Sequence, residues 1–126
     1  MKTLEKLFAR YTKIGYANLN GRMHDFSGFG ELESKYMLEK DGDNLTFSHW
    51  CTDILVIDIT TGVISGLYGQ SKSDVDALTF MVATIENYYN IKATYNGARV
   101  HFHYYPSKDS FQAHDENDTI LYSNVY

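Results

Sequence analysis

Apolar positions near the start of the chain recur with a helical period. Leu4, Leu7, Phe8, Tyr11 and Ile14 fall on one face of a 3.6-residue repeat. Lys2, Glu5, Lys6, Arg10 and Lys13 lie mostly elsewhere. The pattern predicts an amphipathic helix, capped by Thr3, ended by Gly15 and docked on a sheet. Residues 15–33 have no such period and hold Gly15, Gly21, Gly28 and Gly30. This stretch reads as a long loop or short irregular hairpin, with Asn20-Gly21 as its turn and Phe26 and Phe29 as anchors.

The period then shortens to two. Tyr36–Lys40 and Leu45–Trp50 flank Asp41-Gly42-Asp43-Asn44, a strong hairpin turn. Thr52–Thr60 is rich in β-branched residues, and its row Leu55, Ile57, Ile59 should face the core. Cys51 falls in the same run and is expected to be a buried structural thiol. Thr60-Thr61-Gly62 turns the chain into Val63–Tyr68, completing a four-strand antiparallel meander.

A second helix is predicted from Ser71-Lys72-Ser73 to about Tyr89, with Val75, Leu78, Val82, Ile85 and Tyr89 on its apolar stripe. Ser73 and Asp76 stand at capping-box spacing, and Asp74 and Asp76 suit the positive end of the helix dipole. Ile91–Tyr95 and Arg99–Tyr105 flank Asn96-Gly97, a favoured type I′ hairpin dipeptide, and Pro106 stops the second strand. Lys108–Thr119 reads as a polar loop, and Thr119–Ser123 as one more edge strand. The expectation is a single α+β domain over 1–126. Its antiparallel sheet of five to seven strands, meander plus hairpin, packs on one central helix, with the N-terminal amphipathic helix added.

Charge changes this picture more than bulk composition does. The 126 residues carry a formal net charge of -5, which argues against direct nucleic-acid binding through a basic patch. Residues 1–40 hold seven Lys/Arg and five acids, whereas residues 41–126 hold four and eleven. Such polarity points to an electrostatically steered partner with a basic surface. One cysteine precludes an intrachain disulfide and fits a reducing, cytoplasmic setting. Charges at Glu5, Lys6 and Arg10 interrupt any signal-peptide core, and no apolar run has the length of a membrane span.

Motifs for chemistry are sparse. His101 and His103 share one face of a predicted strand, a geometry for metal ligation if His24, His49, His114 or Asp25 completes it. His24-Asp25 could also form an oriented base, although turn chemistry explains it. Ser27-Gly28-Phe29-Gly30 is neither a P-loop nor a dinucleotide fingerprint. Ile64-Ser65-Gly66 lacks the first glycine of a nucleophile elbow, and Asp41-Gly42-Asp43-Asn44 lacks the later ligands of a calcium loop. Asp53 and Asp58 face opposite sides of their strand unless a bulge intervenes. No cofactor is implied. Seven tyrosines crowd the last third, residue types that suit protein interfaces.

Ser48-His49-Trp50-Cys51-Thr52, Ile57-Asp58, Thr61-Gly62-Val63, Tyr68, Ser71 and Ser73 together resemble a pattern in small proteins of phages and mobile elements. There a strand pair leads through Tyr-x-x-Thr-x-Ser to a helix, although this chain has Asp74-Val75 where those proteins carry Arg-His. The resemblance implies an α+β fold and a phage-like origin, and no activity. By class analogy it extends to phage anti-defence inhibitors of the anti-CRISPR kind, which occupy basic nucleic-acid channels. The leading expectation is therefore a non-enzymatic, acidic protein-binding module that inhibits a host nuclease or defence complex. Asp41, Asp43, Asp115, Glu116 and Asp118 would meet basic residues, with Tyr104 and Tyr105 as anchors. The alternatives are a metal-binding protein or metal-dependent enzyme using His101 and His103, and a self-associating structural phage protein.

Overall fold

The structure, a computed structural model, describes residues 2–22, 32–106 and 110–125. Helix α1 (Lys2–Ile14) buries Leu4, Leu7, Phe8 and Tyr11. Gly15, at φ +76, ends it, and the Gly15 N–H donates to the Tyr11 carbonyl at 2.8 Å. That left-handed stop costs glycine no side-chain clash. Ile14, expected on the buried stripe, is left 79% exposed at this last turn.

Five strands follow: β1 (Tyr16–Arg22), β2 (Leu32–Asp41), β3 (Asn44–His49), β4 (Thr52–Asp58) and β5 (Ile64–Leu67). They form one antiparallel sheet in chain order, and α1 packs on β1 and β2. The expected meander is present, with an added first strand. Asn20-Gly21 is not a turn but part of β1, pairing with Ser34 and Glu33 after a register shift. A neighbouring strand that supplies backbone partners outweighs the local turn preference of that dipeptide. His24, Asp25, Phe26, Phe29 and the segment Ser27-Gly28-Phe29-Gly30 lie outside the described residues.

The β3–β4 connection also departs from the sequence reading. His49 pairs with Thr52, so Trp50 and Cys51 form a two-residue hairpin loop, at φ +50 and +64. Cys51 is exposed at this tip rather than buried in a strand. Two positive φ angles match a type I′ turn, which favours Asn-Gly, so no turn residue marks it in the sequence. An L side chain in this region costs about 1–2 kcal/mol. Cys51→Gly should therefore raise stability by roughly 0.5–1 kcal/mol after glycine's extra unfolded-state entropy is subtracted. A higher urea midpoint at unchanged slope would show it.

Ile54 is an extra residue between two pairs, Phe47 with Leu55 and Ser48 with Asp53. This bulge lets Ile54 and Leu55 both be buried while Ile57 and Ile59 keep the core-facing row. A bulge thus does separate Asp53 from Asp58, yet the two carboxylates stay at opposite ends of β4. Asp53 accepts from the Ser48 hydroxyl at 2.6 Å, and Asp58 accepts from the N–H groups of Thr60 and Thr61.

Helix α2 (Lys72–Tyr89) begins two residues earlier than the Ser73/Asp76 spacing implied. Its N-cap is Ser71, whose hydroxyl accepts from the Asp74 N–H while the Asp74 carboxylate accepts from the Ser71 N–H. Asn90, at φ +54, ends it. The chain then forms β6 (Thr94–Tyr95), β7 (Ala98–Arg99), β8 (His101–Tyr105), β9 (Ser110–His114) and β10 (Ile120–Val125). Asn96 and Gly97 make the expected hairpin turn, both at positive φ. Ser110–His114, read as loop, is the middle strand of a three-stranded sheet ordered β10-β9-β8. Phe111 and Ala113 point into the core there, an apolar alternation too short to stand out among polar neighbours.

Among the described residues the fold is therefore α+β, with antiparallel sheets of five, three and two strands where a single sheet was expected. Helix α2 packs against both β8 and β4. Core side chains such as Leu45, Phe47, Ile57, Leu78, Met81 and Phe111 are fully buried.

Candidate functional site: a histidine–aspartate couple beside a polar cavity

His49 ends the inward row of β3 that starts with Leu45 and Phe47. An imidazole on an apolar row must find a polar partner or bear a desolvation cost. It finds Asp74, the third residue of α2: His49 Nδ1 lies 2.7 Å from Asp74 Oδ1, with both side chains about nine-tenths buried. The other carboxylate oxygen, Oδ2, accepts from the N–H groups of Gln70 at 2.9 Å and Ser71 at 3.3 Å. Burial pushes the Asp74 carboxyl up, but the His49 bond, the two backbone donors and the nearby imidazole outweigh it and hold it below its ordinary value.

The imidazole is also fixed by its faces. Tyr36, directly opposite His49 in the β2–β3 register, stacks on it at 4.7 Å and 12°. Trp50 stacks at 6.0 Å and 27°. Burial, then the charges of Asp74 and Asp76, raise the Tyr36 phenol. The Lys35 ammonium stands over the rings of Tyr36 and Trp50. With Nδ1 held by the carboxylate, Nε2 is the nitrogen left to meet a ligand. His49 and Asp74 line a cavity of about 180 Å³, together with Trp50, Thr52, Ile54, Tyr68, Gln70, Ser71 and Ser73.

The residues expected to contact a partner divide between the two ends of the molecule. Asp41 and Asp43 are exposed in the β2–β3 turn, and Asp115, Glu116 and Asp118 follow β9. A chain of contacts joins the two groups. The Ile59 N–H donates to the Asp43 carbonyl, and the Thr94 N–H donates to the Gly62 carbonyl. Thr94 pairs with Arg99, which borders one cleft with Asp115 and Glu116. Asp58 lies in the same series of turns. Arg99, the basic residue of that cleft, is bonded to Glu86 at 3.1 Å. Tyr104 and Tyr105 pair with Phe111 and Ser110, at the far end of β8 from Asp115, so they are not part of that acidic end.

His101 and His103 are both exposed on one face of β8, as their spacing implied. His103 approaches His114 with ring centroids 4.8 Å apart, and His114 Nε2 is bonded to Gln112 Oε1 at 2.8 Å. Among the described residues no three His, Cys, Asp or Glu side chains stand together as a metal site. No helix among them is long and apolar enough to cross a membrane. Comparison with family models, curated proteins and solved structures finds no match for this chain.

Sequence reasoning missed the His49–Asp74 couple. Its one available signal was a polar side chain on the inward parity of β3. Its partner lies 25 residues on, in a helix that starts two residues before the position its Ser73/Asp76 spacing suggests.

Proposed function

We propose that the protein is an acidic protein-binding module that presents one end of its fold to a basic surface. The supporting observation is the joining of the β2–β3, β4–β5, β6–β7 and β9–β10 turns into one end that carries Asp41, Asp43, Asp58, Asp115, Glu116 and Asp118. Carboxylates on short turns between paired strands are held in place at little cost in loop entropy, which suits electrostatic docking. The partner whose chemistry fits is a nucleic-acid channel of a host nuclease or defence complex, in the manner of phage-encoded inhibitors. Tyr104 and Tyr105 fall outside this footprint.

The test is capture of partners from a bacterial lysate by the wild type and by a variant with Asp41, Asp43, Asp115, Glu116 and Asp118 changed to Lys. The wild type should retain a nucleic-acid-binding protein at low salt, free of its nucleic acid, and release it at high salt. The variant should lose at least tenfold of that capture. Capture indifferent to the reversal, or a partner still holding its nucleic acid, overturns the reading.

A further inference from the structure

The cavity beside His49 lies at the other end of the fold, where β3 finishes and α2 begins. We infer that it binds a small uncharged polyol, of the size and chemistry of a single pyranose sugar. Its volume, about 180 Å³, lies below the roughly 300–1,000 Å³ of sites for drug-sized molecules, so the ligand is small.

Charge narrows the class further. Among the described residues no Lys or Arg lines the cavity, and the Lys35 ammonium is engaged over the rings of Tyr36 and Trp50, so the usual partners of a phosphate or carboxylate are not in its wall. Asp74 is the one carboxylate among the residues of the wall, and it would repel an anion. Nor is it free for a cation, since its two oxygens are already taken by His49, Gln70 and Ser71. What remains is a neutral wall rich in hydrogen-bonding groups. Thr52 and Ser73 bring hydroxyls and Gln70 an amide, whereas the Ser71 hydroxyl is already engaged by the Asp74 N–H and by Ser73 Oγ at 2.9 Å.

His49 adds the directional element. It is 8% exposed, and the carboxylate on Nδ1 fixes the tautomer whose Nε2 is an acceptor. A ligand hydroxyl is the donor that matches it. Trp50 and Tyr68 contribute apolar ring surface to the same wall, against which the C–H face of a sugar ring can lie. A lipid or aromatic ligand would leave the polar groups of the wall unpaired, a penalty borne by each one buried.

Trp50 is the sole tryptophan of the chain, so intrinsic fluorescence reads the site directly. The protein is titrated with glucose, galactose, mannose and N-acetylglucosamine, and separately with inorganic phosphate. At least one sugar should give a saturable change in the millimolar range, and phosphate none. Ser73→Ala, at an exposed position, should weaken that response about threefold to tenfold, and His49→Gln by about tenfold, one hydrogen bond each. If His49→Gln unfolds by circular dichroism, Ser73→Ala decides. No saturable response to any sugar, an unchanged response in Ser73→Ala, or saturation by phosphate instead overturns the inference. The charge-reversed variant should keep the sugar response, because its substitutions lie at the opposite end.

Discussion

Replacing Gly62 with alanine should destabilise the protein by roughly 3–5 kcal/mol, the sum of backbone strain and a steric clash. Gly62 sits at φ +82, and a Cβ there would lie 2.1 Å from the Lys92 carbonyl oxygen. The obstacle is backbone, so no rotamer change relieves it. The position is also a junction: the Gly62 N–H donates to the Asp58 carbonyl and its own carbonyl accepts from the Thr94 N–H. Moving Gly62 aside would break the link between the β4–β5 turn and β6. Gly42 and Gly97 separate the two contributions, because both have positive φ and a methyl group on either would meet no atom within 4 Å. Alanine there should cost only the strain, about 1–2 kcal/mol. Urea titration of the three variants would check this. Equal losses at all three would show that the approach to Lys92 carries no cost. A loss of 3–5 kcal/mol is a large share of the roughly 5–15 kcal/mol that holds a domain folded.

Asp74→Asn should cost a comparable amount, about 3–5 kcal/mol, because it removes the buried carboxylate that accepts from His49 and from two backbone N–H groups and leaves buried donors unsatisfied. Asparagine can keep one acceptor oxygen for His49 or for the helix N-terminus. Its amide nitrogen must then face the N–H groups that the carboxylate now satisfies. The pH dependence has a definite sign. The Asp74 carboxyl is held below its ordinary value of 3.8, so the folded state binds its proton less readily than the unfolded state does. The stabilisation is complete above that value and is lost as pH falls through the lower folded-state pKa. The stability gap between wild type and Asp74→Asn should therefore be full at neutral pH and shrink below about pH 4. A gap that stays constant into acid would show that the ionised carboxylate is not what stabilises this corner.

Much of the secondary structure was legible where periodicity was long. The α1 stripe spans three turns, and β2–β5 alternate between clear turn signals. The sequence was silent where tertiary partners decide conformation. Trp50-Cys51 turns because Tyr36 opposite His49 and Thr52 beside it set the register, and neither residue is a turn former. Asn20-Gly21 extends because β2 offers it partners. Ser71 outcompetes Ser73 as the cap because Asp74, three residues on, closes the box and reaches His49 as well. The five acidic positions were readable as turn residues, and their assembly at one end was not. That depends on Gly62 meeting the Lys92 backbone and on Arg99 lying beside Asp115. The His49–Asp74 couple was hidden for the same reason, since strand parity can expose an odd residue and cannot supply its partner.

The order of the five-stranded sheet bears on how the chain reaches its native state. Each strand from β1 to β5 pairs only with its sequence neighbours inside that sheet. Such contacts close short loops and require little search, the property that accompanies rapid folding. The three-stranded sheet is likewise built from consecutive segments. The long-range step is the docking of these two local units through α2, which touches β4 on one side and β8 on the other. Gly69 lies against the Phe111 ring, and its carbonyl accepts from Asn124, at the start of that helix. The polypeptide thus resolves into two units that each pair within themselves, with α2 and the segment around Gly69 forming the contact between them.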